Sequence, residues 1–90
     1  MKEELRKAYE ELVTTTRAKE EYEIEYSLEE ARMVHSAEVN AYGNQTMRDA
    51  QVRILMENNG MYRKVVNLRT DAKIAYYKWS TFKTLLEGRE

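Results

Sequence analysis

The fold is decided by residues 47–86, which read MRDAQVRILMENNGMYRKVVNLRTDAKIAYYKWSTFKTLL. Alternating steps of four and three residues from Met47 reach twelve positions, of which ten are apolar. The positions are Met47, Gln51, Ile54, Asn58, Met61, Val65, Leu68, Ala72, Ala75, Trp79, Phe82 and Leu86. A repeat of 3.5 residues keeps one side of a helix, here called the seam, against a neighbouring helix, as in a coiled coil. The pattern predicts one long helix that packs along another.

This long helix, the second of the chain, is predicted to span residues 46–87. At its start the hydroxyl of Thr46 can cap the backbone, while the carboxylate of Asp49 favours the positive end of the helix. After its end, Gly88 suits a left-handed C-terminal residue. Residues 43–45, which read GNQ, are predicted to form the turn before it.

Asn58 is a polar exception within the seam. Together with Asn59 and Gly60 it would read as a turn, but the seam passes through these residues without losing register, so we predict a continuous helix with a weak point. A buried asparagine in a seam fixes register and oligomer number. Alternatively, Asn58 marks a local opening of the helix, and the sequence leaves both interpretations open.

The first helix is predicted over residues 2–42. Its first apolar stripe comprises Leu5, Ala8, Tyr9 and Leu12. From residue 22 two apolar faces coexist: Tyr22, Tyr26, Met33 and Ala37 on one, and Ile24, Leu28, Ala31, Val34 and Val39 on the other. Ser27 and Glu30 have capping-box spacing, which predicts a kink or register shift near residues 24–28. Two apolar faces require two neighbours.

The composition also favours helices. The 90 residues include three glycines, no proline and no cysteine, which disfavours sheets and excludes disulfides and thiolate metal sites. A domain of this size buries only about 60–65% of its unfolded surface, and small domains without disulfides or metals gain stability by oligomerisation. We predict a single all-α domain over residues 1–90, a long antiparallel helical hairpin that oligomerises into a helical bundle.

Charge divides unequally between the two halves. Residues 1–43 carry six Lys or Arg against eleven Glu, whereas residues 44–90 carry nine against five acidic residues. Antiparallel pairing would place opposite charges along the flanks of the seam, at a few tenths of a kcal/mol per exposed pair. The basic half then already has an acidic neighbour, which weakens the signal for nucleic acid.

No enzymatic chemistry is predicted. His35 and Glu38 have the spacing of the Glu-x-x-His metal motif of helical bundles in the reverse order, and residue 32 is arginine. Scattered serines and threonines lack a base, and there is no glycine-rich phosphate loop. We expect no catalytic, cofactor-binding or metal-binding residues. Since no run of about 20 apolar residues could span a membrane, a cytoplasmic protein is expected.

Two interaction surfaces are predicted from apolar residues that a hairpin leaves over. An oligomer interface, for at least a dimer, comprises Tyr22, Tyr26, Met33, Val52, Leu55, Tyr62 and Val66. A partner-binding surface comprises Lys73, Tyr76, Tyr77 and Lys78. Tyrosine is enriched at the centres of protein interfaces, so another protein is the expected partner. Single-stranded nucleic acid, which stacks on aromatic rings, is the alternative.

Residues 37–51, AEVNAYGNQTMRDAQ, resemble small helical proteins encoded by phages and prophages of Gram-positive bacteria. The resemblance covers the turn between the two predicted helices and brings no catalytic residues with it. It implies a phage accessory protein in the host cytoplasm, acting either in phage DNA metabolism or as an inhibitor of a host machine. The expected function is stoichiometric binding, as inhibitor or adaptor; a purely structural oligomer is a further alternative.

Overall fold

A computed structural model describes residues 2–88, which form four α-helices and no β-strand. The helices are α1 (Lys2–Val34), α2 (Ala37–Asn40), α3 (Gln45–Glu57) and α4 (Gly60–Glu87). The predicted all-α class is therefore confirmed for this part of the chain. The fold divides into two units: within the described residues, unit 1 contains residues 2–20 and 67–88, and unit 2 contains Glu21–Val66.

The first helix ends earlier than predicted and is not interrupted where expected. α1 continues through Ser27, where an ion pair between Glu29 and Arg32, one turn apart, supports the helix. The interruption lies at His35 and Ser36, whose amides donate to carbonyls three residues back, over 3.2 and 3.0 Å. The Ser36 Oγ then accepts a hydrogen bond of 3.3 Å from the amide of Val39 and starts α2.

Asn44, and not Thr46, caps the start of α3. Its backbone is extended, with φ −130° and ψ 158°, and its Oδ1 accepts a 2.8 Å hydrogen bond from the amide of Met47. Asparagine is among the best N-cap residues. Thr46 therefore lies inside the helix, and the turn before α3 covers residues 41–44.

The predicted continuous helix over residues 46–87 is wrong, because the chain is interrupted between α3 and α4. Asn58 ends α3, and its amide donates to the carbonyl of Ile54 over 3.1 Å. The Oδ1 of Asn59 accepts a 2.9 Å hydrogen bond from the amide of Met61, so this asparagine caps α4. Asn58 is exposed, which excludes the buried register device and leaves the local opening as its role.

The interruption changes which face of the chain is buried. In α4 the seam holds: Val65, Ala72 and Ala75 are buried, and the remaining seam residues are half-buried. In α3 it does not, because Met47 and Ile54 are exposed. Val52 and Met56 are buried in α3 in their place.

The residue after α4 also differs from the prediction. Gly88 was expected to be left-handed, but no glycine in the described part has a positive φ, Gly88 included.

Unit 1 is an antiparallel pair formed by the first part of α1 and the last part of α4. Its buried residues are Ala8, Ala72 and Ala75. The rings of Tyr9 and Trp79 lie 6.4 Å apart, and the Nζ of Lys78 lies 3.1 Å from Glu11 Oε2. The last pair is an ion pair between the acidic first helix and the basic last helix, of the kind that the charge division predicts.

Unit 2 has a core of larger side chains. Val39 of α2 and Val52 and Met56 of α3 form a buried cluster, against which half-buried apolar residues of α1 and α3 pack. A side chain of α4 also reaches α1, because the Lys64 Nζ lies 4.4 Å from the ring centre of Tyr22. This short distance to the ring face is that of a cation–π interaction.

Candidate interaction surfaces

An aromatic patch forms on unit 1, comprising Tyr9 of α1 and Tyr76, Tyr77 and Trp79 of α4. Trp79 is its centre: its ring lies 6.4 Å from that of Tyr9 and 6.0 Å from that of Tyr76. Tyr76 and Tyr77 meet edge to face at 5.9 Å, an arrangement that aromatic pairs prefer. The Nζ of Lys83 lies 5.1 Å from the Trp79 ring, which adds a cation to the patch.

The predicted partner-binding residues lie on or beside this patch. Tyr76 and Tyr77 are 50% and 58% exposed although both are large aromatic side chains. Lys73 and Lys78 are exposed as well. The charge of Lys78 is partly neutralised by Glu11 at 3.1 Å, so the surface is less basic than the sequence of α4 alone indicates.

Tyr9 belongs to the patch but was not predicted as part of it. The sequence places Tyr9 on the inner stripe of the first helix, whereas it is exposed at the edge of that stripe. The predicted antiparallel hairpin could have indicated this contact, because antiparallel pairing places early residues of α1 beside late residues of α4. Beside Tyr9 a shallow groove of about 440 Å³ runs along α1, lined by Tyr9, Leu12, Val13, Thr16, Arg17 and Glu20.

Most residues of the predicted oligomer interface are buried or form contacts within unit 2. Val52 is only 9% exposed, so the expectation that the chain leaves it unburied is wrong. Tyr26, Met33 and Leu55 pack against the buried cluster, and Tyr22 carries Lys64 over its ring. These residues are engaged because the register of the seam changes at the interruption after α3. Val52 and its neighbours therefore face α1.

Tyr62 and Val66 are the two members of the predicted oligomer interface that remain exposed. Both line an open cleft of about 460 Å³ beside the interruption at Asn58 and Asn59. Tyr62 also borders a second cleft of about 340 Å³ above Val52. These two residues are therefore accessible to a second molecule, while the others of the set are engaged within the chain.

A second exposed apolar surface lies on the outer side of α1 in unit 2. Ile24 and Leu28 are 63% and 66% exposed, more than the other large apolar residues of the described chain. Ala31 follows at the same helical spacing and is also exposed. We call these three residues the outer stripe. The sequence showed this face together with Val34 and Val39, but Val39 is buried in the core of unit 2.

Charged side chains flank the outer stripe. Glu21 and Arg32 are both exposed, at the two ends of the stripe. A hydrogen bond from Arg32 to Glu29 raises the pKa of the arginine above its usual value, and the guanidinium is charged in any case. The ion pair involves one of its nitrogen atoms and leaves other donors of a strongly exposed side chain for further contacts.

Within residues 2–88 no group of three His, Asp or Glu side chains is arranged to hold a metal ion. His35 lies exposed in the turn between α1 and α2. No helix in the described part is long and apolar enough to cross a membrane.

Comparisons with protein-family models, with curated proteins and with solved structures find no match to this chain.

Proposed function

We propose that this chain is a non-enzymatic helical interaction protein that associates with itself and binds another protein stoichiometrically, as an inhibitor or adaptor. The observation that carries the proposal is the inverted burial of unit 1. Three alanines are buried there, while Tyr76 and Tyr77 remain half exposed. The two tyrosines, which could contribute to stability if they were buried, stay outside a contact in which larger seam residues such as Trp79 and Phe82 are half-buried.

Free energy explains why this arrangement favours association. Burying a methylene contributes about 0.8 kcal/mol, and fully burying a large apolar side chain about 1.5–3 kcal/mol. The alanine contacts of unit 1 therefore contribute little. The exposed apolar area of Tyr76 and Tyr77 becomes buried only when another molecule covers it.

The aromatic patch is the surface that we assign to the foreign partner. Tyrosine and tryptophan dominate the energetics of protein interfaces, because they bury a large area with few rotatable bonds. The resemblance of residues 37–51 to phage and prophage proteins leads us to infer a phage accessory protein. On the same basis we infer that it acts in the host cytoplasm.

Affinity capture from a bacterial extract, with and without nuclease, tests the proposal. We expect one dominant protein at a stoichiometric ratio, insensitive to nuclease, that the double variant Tyr76→Ala/Tyr77→Ala loses. Tyr62→Ala is the matched control, since it removes an exposed tyrosine of unit 2. Because Trp79 is the single tryptophan, its fluorescence should change when the purified partner is added.

Two outcomes would contradict the proposal. Capture that the double variant retains would place the partner elsewhere. Loss of helical circular dichroism in the double variant would show that the two tyrosines belong to the core of unit 1.

Binding of single-stranded nucleic acid is the second candidate function. It is favoured by the cation of Lys83 at 5.1 Å from the Trp79 ring, since such sites combine aromatic rings with basic groups. The pairing of Lys78 with Glu11 weighs against it. A nucleic-acid binder predicts nuclease-sensitive capture and steep weakening with salt, because phosphate contacts release counterions.

A further inference from the structure

The outer stripe of α1 is an apolar surface that neither the core of unit 2 nor the aromatic patch uses. It presents Ile24, Leu28 and Ala31 along about two turns of helix. An exposed stripe with this spacing is the kind of surface that a second helix covers. Its charged neighbours decide which helix fits.

We propose that the outer stripe is where a second copy of this chain packs, with the two α1 helices antiparallel across a two-fold axis. The axis passes beside residue 26, halfway between Ile24 and Leu28. Ile24 of each copy then lies opposite Leu28 of the other, so both of the most exposed apolar side chains become covered. A two-fold interface of this kind uses the same surface twice and closes after two copies.

The charge pattern of α1 favours this arrangement over a parallel one. Glu21 and Arg32 are eleven residues apart, which is about three helical turns, so they lie on the same flank of the stripe. Their midpoint lies within half a residue, about 0.75 Å of helical rise, of the proposed axis. Antiparallel pairing therefore places Glu21 of each copy beside Arg32 of the other, twice, whereas parallel pairing puts this flank of the two copies on opposite sides of the contact and forms neither pair.

The same charges disfavour other occupants of the stripe. Glu20, Glu21 and Glu25 surround its first half and are exposed, and they would repel a phosphate backbone or an anionic membrane surface. The small side chains of Ser27 and Ala31 allow a second helix to approach closely. The aromatic patch belongs to unit 1 and shares no residue with the outer stripe.

This inference rests on the proposed self-association, and its test separates the two. The mass of the protein in solution is measured by analytical ultracentrifugation at several concentrations. We expect a dimer for the native chain and a monomer of unchanged helicity for Leu28→Glu, which places two carboxylates in the interface. Ile74→Glu is the control, because Ile74 is comparably exposed on α4 in unit 1.

Each result decides a different point. A native chain that stays monomeric at every concentration overturns both this inference and the proposed self-association. A dimer that Leu28→Glu leaves intact, or that Ile74→Glu alone dissolves, overturns the outer stripe as interface but leaves self-association in place.

A charge exchange tests the antiparallel arrangement. Glu21→Arg replaces two attractive pairs by two repulsive ones and should raise the dimer Kd about tenfold. Adding Arg32→Glu to that variant should restore the native Kd, because the two charges then exchange places. Failure of the second change to restore binding would show that Glu21 and Arg32 do not face each other, and would overturn the proposed packing.

Discussion

The two units of this chain reach stability by different means. Unit 1 buries alanines in the contact between α1 and α4, whereas unit 2 buries a cluster of Val39, Val52 and Met56. A contact through alanines lets two helices approach closely but covers little apolar area. A contact through valine and methionine covers more area and depends on close packing. Unit 2 should therefore be most sensitive to a loss of side-chain volume, and unit 1 to a gain.

The difference also explains in which part of the chain the alternating spacing of four and three residues predicts the buried residues correctly. In unit 1 the alternating spacing holds, because α4 runs without interruption through Ala72, Ala75 and Trp79. In unit 2 the interruption at Asn58 and Asn59 separates α3 from that register. The buried residues of α4 thus follow the coiled-coil repeat, whereas those of α3 follow from packing around Met56.

Removing volume from unit 2 should have the largest effect. Met56 is almost fully buried in its core, so Met56→Ala should lower the free energy of unfolding by about 2–5 kcal/mol. Met47→Ala in the same helix should change it by less than about 0.5 kcal/mol, because Met47 is exposed. Urea unfolding followed by circular dichroism measures both. Equal losses would instead support the seam that the sequence predicts through Met47.

Adding volume to unit 1 should have the next largest effect. Ala75 is buried between α1 and α4, so Ala75→Leu should cost about 1–3 kcal/mol, because the larger side chain separates the two helices. Ala50→Leu is the matched control at an exposed position of α3 and should leave the urea midpoint nearly unchanged. An Ala75→Leu variant as stable as the native chain would show that the alanine contact is loosely packed.

The helical class could be predicted from the sequence, but the boundaries inside each predicted helix could not. The seam residues Met47 and Ile54 fit the repeat as well as Ala72 does, so spacing alone gave no reason to end it at Asn58. The interruption depends on local hydrogen bonds, such as that from the Met61 amide to Asn59. Whether a polar residue caps a helix or lies inside it depends on how the helical segments before and after that residue pack.

The candidate surfaces were predicted unequally for the same reason. Tyr76 and Tyr77 were placed correctly at the surface, because they lie off the seam of an uninterrupted helix. Val52 is buried instead of exposed, because the register of α4 does not extend into α3. The outer stripe was visible as a second apolar face of α1, but only the structure shows that Ile24 and Leu28 are the members left exposed.

The smallest effect is expected at Gly60, the first residue of α4, where a substitution tests what causes the interruption. The φ of Gly60 is not positive, and a Cβ placed there meets no neighbour within 4 Å. Gly60→Ala should therefore raise the free energy of unfolding by about 0.4–1 kcal/mol, since alanine restricts the unfolded chain and favours the helix.

Gly43→Ala is the control: its Cβ would also meet open space, but it lies in the turn before α3. A larger gain at Gly60 than at Gly43, read from thermal unfolding, isolates the contribution of the helix. Destabilisation by Gly60→Ala would show that glycine itself, and not capping by Asn59, separates α3 from α4.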